Sequence, residues 1–141
     1  MNRYKKFIAL ISIFLIVITG CSNEVEVEGN AILVQKRIGE ENKYEHFKEI
    51  TDNDKVQKAN DILENIHWEN AEVNMAYPPH YKFRFEGNYE QSELIYDLWI
   101  SPNKDKIELV IEGESKYGRL SKSKSAKLFE IIVGIKLSGA E

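Results

Sequence analysis

The chain has 141 residues, one of them cysteine, with 43% apolar content, eight Gly and three Pro; this leaves room for one domain and excludes a large multidomain enzyme, an intramolecular disulfide framework, a Cys-rich zinc site and a low-complexity or collagen-like chain. It holds 19 Lys+Arg against 23 Asp+Glu. Arg3, Lys5 and Lys6 meet no acid in residues 1–20, so the other 121 residues carry a net charge of −7, which argues against general nucleic-acid binding.

Residues 1–6 are short and basic, residues 7–18 form an almost unbroken apolar run, and Thr19-Gly20 are small. That order is the three-part plan of a secretory signal. A helix rising ~1.5 Å per residue over residues 7–18 falls short of a hydrocarbon layer ~30 Å thick, so a transmembrane anchor is the weaker reading. Ile18-Thr19-Gly20-Cys21 resembles a bacterial lipobox, with Ile18 in place of the usual Leu. The resemblance implies cleavage between Gly20 and Cys21 and a diacylglyceryl thioether on Cys21; the alternative is an ordinary secretory signal that ends near a cysteine. Two acyl chains suffice for stable attachment. The basic end stays cytoplasmic, so the expected location is the outer face of the cell membrane. The expected division is a signal peptide over 1–20, a lipidated cysteine and acidic tether over 21–30, and one domain over 31–141. Glu24, Glu26 and Glu28 alternate with Val25 and Val27 in the tether, which reads as a spacer repelled by anionic headgroups or as an edge strand with both valines packed inward.

From Ala31 the pattern is globular. Ile32-Leu33-Val34 begins a strand to about Ile38, and Tyr44–Ile50 returns as its hairpin partner, with Tyr44, His46, Lys48 and Ile50 on one face and Phe47 on the other. Thr51 with Asp54 is close to a capping box, and Val56, Ala59, Ile62, Leu63 and Ile66 form the apolar stripe of a helix. Val73 and Met75 alternate with polar residues as a further strand, which Pro78-Pro79 breaks. Tyr81, Phe83 and Phe85 then alternate with Lys82, Arg84 and Glu86, a clean period of two. After a turn over 87–92, Leu94, Tyr96, Leu98 and Ile100 oppose Ile95, Asp97 and Trp99. Ile107, Leu109 and Ile111 make another strand, and residues 117–120 a short last one. Ser121 or Ser123 caps a second helix with Leu128, Phe129, Ile132 and Ile135 buried and Gly134 as terminator. Short connections favour antiparallel neighbours. The expected fold is α+β, an antiparallel sheet of about five to seven strands with two helices packed on one face.

The search for chemistry excludes more than it finds. His46, His67 and His80 include no pair at helical zinc spacing, and neither HExxH nor CxxC occurs, so no metal site is expected. Asp52-Asn53-Asp54 begins like a calcium loop, but Gln57 and Leu63 stand where the glycine and the closing Glu belong. The SxxK spacing occurs at Ser101–Lys104 and Ser121–Lys124 without its companion motifs, and there is no GxSxG. Glu112 and Glu114 have no fixed separation that would make an acid pair. No catalytic residue and no cofactor is therefore assigned. Arg119, Lys122, Lys124 and Lys127 form the most basic stretch, read as a solvated helix start or as a contact for anionic lipid or wall polymer. Trp68 and the segment Tyr77-Pro78-Pro79-His80-Tyr81 bracket one short strand. Exposed, they suit recognition of a peptide or sugar; alternatively Trp68 and Tyr81 fill the core and the prolines turn the chain.

Lipobox, helix ending in His67-Trp68, Pro78-Pro79 before Tyr81-Lys82-Phe83, Tyr96-Asp97-Leu98-Trp99-Ile100, and Tyr117-Gly118-Arg119-Leu120 before a Ser/Lys-capped helix follow one another in this chain. The arrangement resembles the small YhfM-type lipoproteins of Bacillus and relatives over roughly residues 30–135. The resemblance implies a lipid anchor and a single α+β domain and carries over no catalytic residue. The functional expectation is a membrane-anchored extracytoplasmic binding or interaction domain. Its partner would be an envelope protein or an inhibited enzyme, met through sheet surface, loops or the Pro78–Tyr81 segment, with Trp68, Tyr77, Pro78, Pro79 and His80 as the candidate contacts. The alternatives are a small cell-envelope hydrolase or ligand carrier, and a purely accessory surface protein.

Overall fold

The computed structural model describes residues 30–87 and 92–141. The expected signal peptide, Cys21, most of the tether and residues 88–91 of the turn before the β-strand at Tyr96 lie outside the described residues. In chain order the elements are β1 (Ala31–Arg37), β2 (Tyr44–Ile50), α1 (Asn53–Glu64), β3 (Trp68–Asn70), β4 (Tyr81–Glu86), β5 (Tyr96–Ile100), β6 (Ile107–Ile111), β7 (Lys116–Arg119) and α2 (Lys122–Val133). The strands form one antiparallel sheet in the order β2-β1-β4-β5-β6-β7-β3, and the expected α+β class is the one found.

The period-two alternation builds the inner face directly. Register sets Ile32 against Phe85, Val34 against Phe83, Phe83 against Tyr96, and Leu98 against Leu109, so the large apolar side chains stand in rows on one side. Phe83 and Tyr96 stack at 5.0 Å between centroids, 13° from parallel. Val56, Ala59 and Leu63 of α1 and Leu128, Phe129 and Ile132 of α2 close the core over them. Each of the Val, Leu, Ile and Phe side chains among them contributes roughly 1.5–3 kcal/mol by burial.

Several local expectations need correction. The cap of α1 is Asp52, not Thr51: its carboxylate accepts from Lys55 N at 3.1 Å, and the charge also suits the positive helix end. Ser121 is the cap of α2, accepting from Lys124 N. Gly134 ends that helix in the left-handed conformation, φ 91; Ile135 therefore falls beyond the helical period and is 47% exposed, and Val133 is buried instead. In β2 one extra residue is inserted opposite the Val34/Gln35 step. The bulge reverses the phase, so Tyr44 and His46 face Arg37 and Gln35 on the outer side, while Lys48 and Ile50 face Val34 and Ile32 on the inner side.

The alternating Val73 and Met75 are not in a strand. The strand there is Trp68–Asn70 at the sheet edge beside β7. The indole of Trp68 lies over Gly118, where an added Cβ would come within 2.9 Å of it, and donates to Leu63 O at 3.3 Å. After Ala71 N has bonded to Ser115 O, residues 71–80 leave the edge and cross the outer face of the sheet to reach β4. This crossing strap creates a cleft on the outer face of the sheet.

Candidate functional site

Tyr77, Pro78 and Pro79 offer three successive carbonyls, and the two prolines offer no N–H, so the strap needs donors from outside itself. The sheet supplies one for each. Trp99 Nε1 donates to Tyr77 O at 2.9 Å, Arg37 Nη1 to Pro78 O at 2.5 Å, and Tyr44 Oη to Pro79 O at 2.8 Å. His80 N then donates to Leu98 O, Arg37 N donates to His80 O, and Ile100 N donates to His80 Nδ1 at 3.1 Å. The imidazole therefore keeps Nδ1 unprotonated, and burial, helped by the Arg37 charge, holds its pKa below the ordinary histidine value.

Between strap and sheet lies an open cleft of about 440 Å³, walled by Val73, Met75, Tyr77, Trp99 and Val110 and reaching Asp97. Tyr77 is 43% exposed at its rim. Asp97 is the only charged side chain on the cleft lining among the described residues. It projects from β5 between Lys82 of β4 and Val110 of β6, its register partners. The Lys82 ammonium is 3.3 Å from Asp97 Oδ1 and 3.3 Å from Glu112 Oε1, with the Lys82 and Asp97 side chains only 15% and 13% exposed. It hydrogen-bonds Glu112 and forms an ion pair with Asp97, whose Oδ1 is buried. Lys82 also lies 5.0 Å over the Tyr44 ring.

Electrostatics confirm that this end of the cleft is unusual. Burial pushes the Asp97 carboxyl above its ordinary range, and the opposing pull of Lys82 does not cancel it. Tyr44 is pushed up to about 12, first by burial and then by Asp97, with Glu112 adding and Arg37 opposing. A half-buried carboxylate held by one shared cation costs the fold part of what the ion pair returns.

The model of the YhfM protein family matches residues 25–137. The chain belongs to the YhfM family. A solved thioesterase-like protein from Clostridium sporogenes shares the fold, with a TM-score of 0.54 at 15% identity over 76% of this chain and 96% of that one. No curated protein matches the chain.

Within this YhfM fold the sequence candidates separate. Tyr77, Pro78, Pro79 and His80 come together as the strap. Trp68 does not join them: it packs on the helix side, 6.1 Å from the Tyr96 ring. The basic stretch is largely engaged, with Lys122 on Asp105 at 2.8 Å, Lys124 Nζ on Asn65 O at 2.7 Å, and Arg119 Nε on Tyr117 Oη at 3.0 Å. Ser121 Oγ caps its helix while the Lys124 ammonium points to Asn65, so the SxxK pair forms no dyad. Ser101 Oγ is tied into its own turn with Asp105 and Lys106. Among the described residues no group of three or more His, Cys, Asp or Glu could hold a metal, and no helix is long and apolar enough to cross a membrane.

One pH dependence follows from the strap. Because the folded pKa of His80 lies below its unfolded value near 6.5, the unfolded state takes up the proton first. The His80 contribution to stability is complete above pH 6.5 and is lost as pH falls through the folded value. Urea denaturation at pH 7.5 and 5.5 is expected to show a larger acid loss for wild type than for His80→Gln, and equal losses would remove His80 as the cause.

Proposed function

We propose that this YhfM chain is a binding domain held by lipid on the outer face of the cell membrane, with the strap cleft as its ligand seat. The anchor is supported by the order of residues 1–21 and the lipobox resemblance, with Cys21 as the acylated residue. Two acyl chains at ~0.8 kcal/mol per buried methylene hold a protein stably without a spanning helix. Cys21→Ala is expected to release the protein to the medium or leave it unprocessed. Full cleavage of that variant with wild-type membrane retention, read by fractionation and mass spectrometry, would refute the anchor.

The observation that carries the binding reading is Asp97, a carboxylate buried against a net electrostatic penalty where an aromatic-walled cleft ends. Concave sites with apolar walls and one placed polar group are the usual form of ligand seats. A photo-crosslinking residue placed at Tyr77 of the anchored protein in cells should give adducts that vanish in Asp97→Asn. Adducts no more frequent there than at the exposed Ser138 would sink the reading.

A second reading, a small envelope hydrolase, is favoured by the same carboxylate, since a raised pKa in a cleft suits a general base. The fold neighbour carries the name thioesterase-like. Release of thiol from acyl-thioesters by the anchored protein, abolished in Asp97→Asn, would replace the binding reading with this one.

A further inference from the structure

Building on the cleft as a ligand seat, we infer that its ligand presents an alkylammonium group, a positive charge on a short apolar stem. Three features of the site converge on that chemistry. Among the described residues the only charge on the lining is negative, at Asp97. The two cations nearby already point at acceptors, Lys82 at Asp97 Oδ1 and Glu112 Oε1 and Arg37 at Pro78 O, so neither is offered to an anion in the cleft. Asp97 has one cationic partner, the Lys82 ammonium 3.3 Å from Oδ1, which Glu112 shares, and a ligand ammonium brings three further donors to the carboxylate.

The walls fit the rest of such a ligand. Met75, Val73 and Val110 offer apolar surface for methylene groups, and Tyr77 and Trp99 offer aromatic surface of the kind that attracts a cation. An anionic or purely apolar ligand would cover Asp97 without supplying a donor, the costly outcome for a buried carboxylate. Two sources carry the same chemistry, a lysine side chain of another protein and a free alkylamine.

The full lipidated protein in detergent, titrated calorimetrically at pH 7 with n-butylamine, n-butanol, butyrate and the peptide acetyl-Gly-Lys-Gly-amide, separates the possibilities. Butylammonium is expected to bind at least tenfold more tightly than butanol, with butyrate silent. Asp97→Asn should reduce butylammonium to the level of butanol. Tyr77→Ala, altering a surface side chain only, should weaken it severalfold. Tighter binding of the peptide than of butylamine assigns the source to a protein side chain, and the reverse order to a free amine. Butanol equal to butylammonium, preference for butyrate, or indifference to both substitutions would overturn the inference. Crosslinking at Tyr77 that persists alongside any of those results would leave the ligand seat standing and remove only the ammonium.

Discussion

Phe83→Ala is expected to lower the stability of the domain by about 3–5 kcal/mol, the usual range for emptying a buried aromatic site. Phe83 is 1% exposed and sits where three strands meet, opposite Val34 on one side and Tyr96 on the other. Its ring stacks on Tyr96 and lies 6.4 Å from Phe85, so truncation removes contacts that neither neighbour can replace by a small shift. Because domains of this size are stable by only about 5–15 kcal/mol, the variant should be close to unfolding at physiological temperature. Phe47→Ala is the control. Its ring is 38% exposed on edge strand β2 and should cost about 1 kcal/mol or less. Urea midpoints that place the two variants together would refute the inner face of β4 as the centre of the core.

The reasons why some elements were readable in the sequence and others were not are physical. The alternation in β4 and the stripes on α1 and α2 were legible because one side of each faces a continuous apolar core, which writes its period into the residues. The bulge in β2 was not, because inserting one residue changes phase without changing composition. Val73 and Met75 imitate a strand for a different reason. They alternate because one side of the strap rests on the sheet, yet the carbonyls that follow are satisfied by Trp99, Arg37 and Tyr44, residues 22, 41 and 35 positions away. Donors that distant leave no local pattern.

The site divides along the same line. Tyr77 to His80 were conspicuous as aromatics beside two prolines, although their backbone turns out to serve the fold and the exposed Tyr77 ring and the cleft beneath are what remain for a ligand. Lys82 and Asp97 read as ordinary outward charges, since opposite signs on the polar side of two strands describe any solvated sheet. Only the β4–β5 register, which pairs them directly, and the strap that forms a cleft over Asp97 turn those charges into a site. A signal did exist in the sequence: Trp99 and Asp97 share the outward side of β5, and an indole on a face meant for water implies that something covers it.

Asp97→Asn tests that reading most sharply, because stability and ligand capture should move independently. Asn keeps the shape of the side chain and removes the buried charge. The folded pKa of Asp97 is raised, burial outweighing the attraction of Lys82, so the folded state takes up a proton more readily than the unfolded chain. The stability contributed by this group is complete below the ordinary carboxyl value of 3.8 and is lost as pH rises through the folded value. At neutral pH the substitution therefore relieves a penalty. It also deprives Lys82 of one partner, but Glu112 remains at 3.3 Å, so the ammonium is not stranded. The expected net change is within about 1 kcal/mol of wild type, neutral or stabilising. Any advantage of the variant should shrink as pH is lowered through the folded value and below 3.8, where wild type becomes protonated in both states. Adduct formation at the cleft should disappear across the same range. A variant that loses several kcal/mol at neutral pH would instead make Asp97 a structural partner of Lys82, and the cleft would then lose the residue that gives it a function.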